Sequence, residues 1–330
     1  MNSPRQPQRL SLPDLLWDAW CVCSLIGIWP RFIEPNLITT SYITLKVPKL
    51  PKELHGLRIL QFSDLHLHPR VPDFFLKHLC RKINRLKPDL IVFTGDFLCF
   101  SVLAERERLM RFLSSLQAPY GCYAVLGNHD YQQSVSINDK GEYDVIENSP
   151  ALISKGFSRL FTTTTLAKKV ALRAQAVGQH AELTDLLKKT PFQLLHNQTK
   201  LISIKNKALN ICGLGEYTLG RLQPEIAFKD YDRQYPGIIL AHNPDSIPFL
   251  EAYPGEVILC GHTHGGQVNL PWLWKKFTLL ENMQFKKGLH KVKDKWAYIN
   301  RGIGSVLQFR WFSPPEILLL TLASTASRLN

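Results

Sequence analysis

The sequence has no C-x-x-C pair, no internal repeat, no long linker and no apolar run of membrane-spanning length. Its cysteines (positions 21, 23, 80, 99, 122, 212 and 260) are odd in number and scattered. This excludes a disulfide scaffold or a zinc knuckle and predicts reduced thiols in a cytosolic protein. The longest clean apolar stretch, Ala19 to Trp29, has 11 residues, where about 20 are needed to cross a bilayer. Acids precede it and no small-residue cleavage site follows, so a secretory signal peptide is excluded. Acidic residues are also scarce, with 27 Asp+Glu against 40 Lys+Arg and a net charge of +13 in 330 residues. Hydrophobic content of 45% and charged content of 20% rule out a disordered or fibrous chain. The basic excess calls for an anionic counterpart: nucleic acid, a membrane face or a phosphorylated substrate.

Leu15 to Ile33 is apolar but broken by Asp18 and Pro30. With Trp17, Trp20 and Trp29, and with Arg5, Arg9 and Arg31 near its ends, it fits an interfacial segment lying in a headgroup layer better than a helix packed on the protein's own core. Residues 1–40 are therefore read as a membrane-associating segment and 41–330 as the main domain. From Leu57 the pattern alternates short apolar runs (Leu57–Phe62, Leu90–Phe93, Tyr123–Leu126, Ile238–Leu240, Val257–Leu259) with amphipathic stretches (Phe74–Leu86, Ala104–Leu116). Buried strands separated by helices predict an α/β domain. Lys200–Ile204 and Leu209–Cys212 read as a hairpin, Ile317–Leu322 as a closing strand, and 144–191, with a four-threonine run at 162–165, as an insertion.

Polar, metal-competent residues follow five of the predicted strands. Asp64 and His66 come after Phe62; Asp96 after Phe93; Asn128, His129 and Asp130 after Leu126; His242 after Leu240; His262 and His264 after Leu259. Sites in open α/β sheets form beyond the carboxyl ends of strands, so these residues should converge on one crevice. The i, i+2 spacing of Asp64/His66 and of His262/His264 predicts that each pair shares one side of an extended segment. One D-x-H means little; five clusters at five strand ends carry weight.

This ordered set, D-x-H, G-D, G-N-H-D, H and G-H-T-H, resembles the calcineurin-like metallophosphoesterase superfamily over most of Leu57 to Leu322. The resemblance implies a four-layer αββα sandwich with two divalent metals. By motif position, Asp64, His66 and His264 would hold one metal, Asn128, His242 and His262 the other, and Asp96 would bridge them. Imidazoles with carboxylates suit Mn²⁺, Fe or Zn²⁺ rather than Ca²⁺. Two carboxylates against two divalent ions leave a positive site that favours a phosphoester. His129 would be the catalytic residue that meets the phosphate. Many members carry an Asp partner for it where this chain has Cys99, so His129 should be a weaker cation at neutral pH. A diphosphate, whose leaving group is a stable anion, tolerates that loss of acidity.

Ile33-Glu34-Pro35, Gly56-Leu57-Arg58-Ile59, Gly261 to Gln267 and Asn300 to Gly304 look like the membrane-associated branch of the superfamily. Within it the chain is most similar to the UDP-2,3-diacylglucosamine pyrophosphatases. That implies Mn²⁺-dependent hydrolysis of a lipid-linked UDP-sugar to UMP and 2,3-diacylglucosamine 1-phosphate in lipid A biosynthesis, by a peripheral protein on the cytoplasmic face of the inner membrane. From Trp272 to Arg310 nine Lys+Arg (275, 276, 286, 287, 291, 293, 295, 301, 310) face two acids, among Trp272, Trp274, Phe277 and Phe285. This mixture fits an anionic lipid surface or, more plainly, a solvated basic face. Leu166, Val170, Ala171, Ala174 and Val177 beside Lys168, Lys169 and Arg173 form either an amphipathic lid over acyl chains or a helix covering the sheet edge. Arg301 is a candidate substrate contact, through its guanidinium or the backbone amides of its turn. A phosphodiesterase or phosphatase acting on another nucleotide or phospholipid shares every proposed ligand, and a non-catalytic scaffold of the same fold is a third reading. No nucleic-acid motif accompanies the basic segment, so no nucleic-acid partner is expected.

Overall fold

A computed structural model describes residues 12–48, 50–146, 166, 168–271, 273–276 and 278–324. Arg5, Arg9, the four-threonine run, Trp272 and Phe277, on which parts of the sequence reading rest, lie outside the described residues, as does 147–165 of the expected insertion. The described strands are β1 (Thr39–Val47), β2 (Arg58–Phe62), β3 (Leu90–Thr94), β4 (Cys122–Val125), β5 (Val135–Ile137), β6 (Tyr143–Val145), β7 (Phe192–Leu194), β8 (Gln198–Ile204), β9 (Lys207–Gly213), β10 (Gly237–Leu240), β11 (Val257–Cys260), β12 (Gly288–Val292), β13 (Lys295–Ile299) and β14 (Glu316–Ser324). Two six-stranded sheets result, ordered β1-β14-β2-β3-β4-β7 and β12-β13-β11-β10-β9-β8, with β5-β6 a separate ribbon. β2, β3, β4 and β7 run parallel in the first sheet, and β9, β10, β11 and β13 in the second.

The short apolar runs become central strands because both their faces are covered. Ile59, Leu90, Val92 and Val125 on one sheet meet Ile202, Ile211, Leu240 and Leu259 on the other in a dry inter-sheet core. On the outer face of the first sheet, Phe62, Ile91, Phe93 and Ala124 pack against α2 (Asp73–Arg85) and α3 (Arg106–Ser114) through Phe75, Leu79, Ile83, Leu109, Phe112 and Leu113. Those helical positions recur at three and four, as an amphipathic helix requires. Ile239, Ile258 and Cys260 bury the outer face of the second sheet against Ile247 and Leu250 of the Pro244–Leu250 turns. Helical layers therefore flank two packed sheets, the four-layer α/β sandwich.

Of the two readings of the insertion, lid or sheet cover, its described core-facing side chains fit the cover. Ala174 and Val177 are buried in the same core as α2 and α3, with Leu166 and Val170 packed against it, and helix Ala181–Leu187 adds Leu183, Leu186 and Leu187. These residues cover the sheet, because β7 extends it and needs a roof. At the N-terminus, α1 (Leu12–Cys23) runs into Ser24–Ile33, a wider π-type turn containing Pro30. Its apolar side chains, including Leu16, Trp17, Trp20, Leu25 and Phe32, are exposed rather than packed on the core. Among the described residues no helix is long and apolar enough to cross a membrane. The 40/41 division falls inside β1, which pairs along its whole length with β14.

Candidate metal centre

The carboxyl ends of β2, β3 and β4 in one sheet and of β10 and β11 in the other open onto one place, and loops from all five deliver their polar residues there. Among the described residues, three groups of donor atoms lie close enough to share an ion: Asp64, His66 and His264; Asp96, His242 and His262; and His66, Asp96 and His129. Asp96 joins the two halves. Its Oδ2 lies 3.4 Å from His66 Nε2 and 3.2 Å from His242 Nε2. His66 Nε2 is 3.2 Å from His264 Nε2, and His264 Nε2 is 3.8 Å from Asp64 Oδ1. On the other side Asn128 Oδ1 stands 3.2 Å from His242 Nε2 and 3.0 Å from His262 Nδ1. Lone pairs facing one another at such distances are adjacent corners of a coordination sphere. Metal–ligand bonds of about 2.1 Å set neighbouring ligands about 3 Å apart.

The tautomers agree with this geometry. His66 Nδ1 meets the Leu98 carbonyl at 3.0 Å, His242 Nδ1 the Thr94 carbonyl at 2.7 Å and His262 Nε2 the Leu279 carbonyl at 3.3 Å. In each ring the nitrogen that faces a carbonyl must donate, leaving the other nitrogen's lone pair for a metal. Burial holds His66 and His262 down to about 3, so both are neutral ligands at physiological pH. At His242 burial also acts downward, but Asp96 and Asp64 outweigh it and raise the ring well above the ordinary value. Metal binding must displace that proton. The donors are imidazoles, carboxylates and one amide oxygen. Cys99 offers no thiolate, since burial pushes its thiol up to about 12. This donor set fits a dinuclear divalent metal site.

One expectation about local geometry is overturned. Asp64, His66, Asp96, His262 and His264 all have positive φ, between 43° and 70°. Neither i, i+2 pair lies on an extended segment; each ligand turns through the left-handed region instead. Such backbone is uncommon outside glycine and concentrates at functional sites. The glycines of the motifs make room for it. A Cβ on Gly127 would stand 2.2 Å from Asp96 Oδ1, and one on Gly95 would stand 2.6 Å from the Gly127 amide and from His242 Nδ1.

His129 Nδ1 accepts from the Phe100 amide at 3.2 Å, and its own amide donates to Asp96 Oδ1 at 2.9 Å. The partner of Nδ1 is thus a backbone donor beside Cys99 rather than a carboxylate. It makes the ring a neutral Nε2–H tautomer, and burial lowers its pKa further. Arg301 is anchored on the protein beside the centre. Its guanidinium pairs with Glu316 at 3.2 Å and donates to Thr39 Oγ1 at 2.9 Å, while its amide donates to Glu316 at 3.0 Å. These bonds use Nε and Nη2 and fix the orientation of the group, and a guanidinium carries five N–H donors in all.

Three contributors were not assigned from sequence. Asp130, the last residue of G-N-H-D, accepts the amides of Asp96, Leu98 and Gly127 at 2.7, 2.9 and 3.0 Å, and so ties the β3 and β4 loops together. Its place in the motif was the available signal. Buried Glu34 accepts from Trp29 Nε1 and from the Phe312 and Ser313 amides. Ser313 Oγ in turn donates to the His264 carbonyl at 2.7 Å, which links the N-terminal segment to a candidate ligand. Arg310, read only as one charge among nine, is fully buried beside His264. Lys295 is buried as well, and Lys286 and Lys291 lie over the rings of Trp274 and Trp296. The basic segment is therefore no uniform solvated face, because a charge count cannot see which side chains its strands turn inward.

The calcineurin-like phosphoesterase family model matches residues 57–266. UDP-2,3-diacylglucosamine pyrophosphatase LpxG of Chlamydia trachomatis is 41% identical over 94% of this chain and 94% of its own length. Its namesake from Chlamydia muridarum is 40% identical over 90% of this chain and 92% of its own. Phosphodiesterase YaeI of Escherichia coli is 26% identical, covering 80% and 82% respectively.

Proposed function

Since the chain belongs to the calcineurin-like phosphoesterase family, we propose that this hydrolase cleaves the diphosphate of UDP-2,3-diacylglucosamine, releasing UMP and 2,3-diacylglucosamine 1-phosphate. The observation that carries the reading is similarity along nearly the whole chain to two pyrophosphatases of that substrate. Two divalent ions at the centre, Mn²⁺ in this reading, supply Lewis acidity toward the diphosphate and lower the pKa of water. Asp64, His66 and His264 would hold one, Asn128, His242 and His262 the other, and Asp96 would serve both. Water attacks the α-phosphorus, the bond from that phosphorus to the bridging oxygen breaks, and the bridging oxygen leaves with the lipid phosphate. His129, neutral and carrying its proton on Nε2, donates that N–H to a phosphoryl oxygen as charge builds. Arg301 acts as a positioning residue, holding the Gly302–Gly304 turn whose Gly304 amide donates to the Asp64 carbonyl.

The exposed apolar side chains of α1 and Ser24–Ile33 suit the headgroup layer of an anionic membrane, and the basic balance of the chain suits its charge. The enzyme in this reading is peripheral, on the cytoplasmic face of the inner membrane. Incubation with UDP-2,3-diacylglucosamine and Mn²⁺ in H₂¹⁸O tests the assignment. UMP should form with the label in its phosphate. Hydrolysis of other diesters without release of UMP would sink the substrate and leave a phosphodiesterase of different specificity.

A further inference from the structure

A cleft of about 410 Å³ lies beside the centre, between Arg31–Asn36, the loop entering α2 and residues 303–310. Its size falls within the range of small-ligand sites. Its walls combine two chemistries. Phe32 and Phe74 stand at the surface, 63% and 61% exposed, with Ile303 buried deeper. Three guanidiniums, those of Arg31, Arg70 and Arg310, line the same space, and no carboxylate does. Arg310 is the informative one. It is fully buried, its Nη1 donates to the Ser313 carbonyl and its Nη2 to the Gly304 carbonyl, and its Nε has no partner. Nη2 also lies 3.3 Å from His264 Nδ1. A ring that offers Nε2 to a metal carries its proton on Nδ1, so this contact gives the guanidinium no acceptor. Asp64, Glu34 and Glu316 act on this cation electrostatically, but Arg310 Nε remains an unused buried donor, which is costly unless an acceptor joins it.

From this geometry, and resting on the substrate reading above, we infer that the cleft takes the lipid end of the substrate, with Arg310, Arg70 and Arg31 around its anionic group and Phe32 and Phe74 against an acyl chain. The location suits that role. Arg310 is shared between the cleft and the edge of the centre, so a lipid held there points its phosphate toward the reacting bond. Phe32 belongs to the same N-terminal segment as exposed Trp17 and Trp20, which places the cleft mouth beside the side chains suited to the bilayer. Arg31 is steadied over this path by the Gln308 carbonyl at 3.2 Å and by the Phe32 ring.

Arg70→Glu and Phe74→Asp test the inference at exposed positions outside the metal centre. Each should raise the KM for UDP-2,3-diacylglucosamine, and the inhibition constant of 2,3-diacylglucosamine 1-phosphate, by about tenfold or more. The inhibition constant of UMP, which binds the opposite end of the substrate site, should stay unchanged. Equal weakening toward both products, or no weakening toward either, overturns the inference. So does reduced retention on phosphatidylglycerol vesicles with unchanged KM, which would assign the cleft to bilayer lipid. A second arm is independent of turnover. Dodecyl phosphate bearing a terminal diazirine should label peptides containing Phe32 or Phe74 in the wild-type protein, with less labelling in Arg70→Glu. Labelling confined to residues 12–28 overturns the cleft assignment. Cleft labelling without UMP release would instead retain the cleft as a site for anionic lipid and remove the substrate reading.

Discussion

At the scale of single residues, the centre combines donors that sequence order could reveal with conformations that it could not. Asp64, His66, Asp96, Asn128, His242, His262 and His264 were legible because each follows a recognisable apolar run. The left-handed backbone of Asp64, His66, Asp96, His262 and His264 was not, since φ is set by the loops packed around Gly95 and Gly127 rather than by the residue type. His129 shows the same division. The absence of a carboxylate at Cys99 was readable, but the Phe100 amide that donates to His129 Nδ1 was not. With Nδ1 accepting from an amide, His129 donates a hydrogen bond without being a strong acid. His129→Ala should therefore lower kcat about 10- to 100-fold on a diphosphate substrate, whereas Asp96→Ala, which removes the group shared by both halves, should lower it by more than about 10³-fold. Steady-state kinetics of the two variants checks this, and equal losses would restore His129 as an obligatory acid.

At the scale of elements, the strands that carry the ligands were legible because they are continuous apolar runs, and α2 and α3 because their buried positions keep helical spacing. β1, β12 and β13 were missed for different reasons. β1 sits at a sheet edge beside an N-terminal segment whose apolar character drew the reading elsewhere. β12 and β13 lie within a stretch counted for its charge, where buried Lys295 meets the Gly255 carbonyl at 3.1 Å. The hairpin of β8 and β9 was legible, and its turn is tighter than expected. Lys205 and Asn206, with φ of 48° and 63°, form a two-residue connection in the left-handed region. Asn206→Gly relieves the second position and should stabilise the fold by about 0.5–1 kcal/mol. A higher urea midpoint at unchanged slope is the expected readout.

At the scale of the whole molecule, the centre draws its side chains from two sheets and also holds them together. His242 of the second sheet meets the Thr94 carbonyl of the first, and Gln61 Nε2 of the first donates to the Cys260 carbonyl of the second at 2.8 Å. A metal pair bound here stabilises only the assembled sandwich. Chelation should lower the melting temperature, and added Mn²⁺ at about 100 times its dissociation constant should restore about 3 kcal/mol, measured by thermal unfolding with and without metal. The N-terminal surface is a separate property of the whole fold. Trp17 and Trp20, 67% and 59% exposed, face away from the core. Replacing both by Ser should weaken retention on anionic vesicles severalfold while leaving the melting temperature and turnover in detergent within about twofold or a degree of the parent.

The sequence by itself determined the α/β alternation, the order in which metal-competent residues follow the strands, the lack of a run long enough to cross a bilayer, and the excess of positive charge. These are properties of composition and local periodicity, and they survive whatever the chain does at long range. Only the tertiary structure decided where that charge goes: Arg310 inward beside His264, Arg301 onto Glu316, Lys295 under a strand end. It also decided that Ala174, Val177 and the helix Ala181–Leu187 roof a sheet and that Glu34 ties the N-terminal segment to the loop behind a candidate ligand. Burial and pairing depend on what lies opposite a residue in space, 46 positions away for Arg310 and His264 and 278 for Glu34 and Phe312, and no local pattern encodes that.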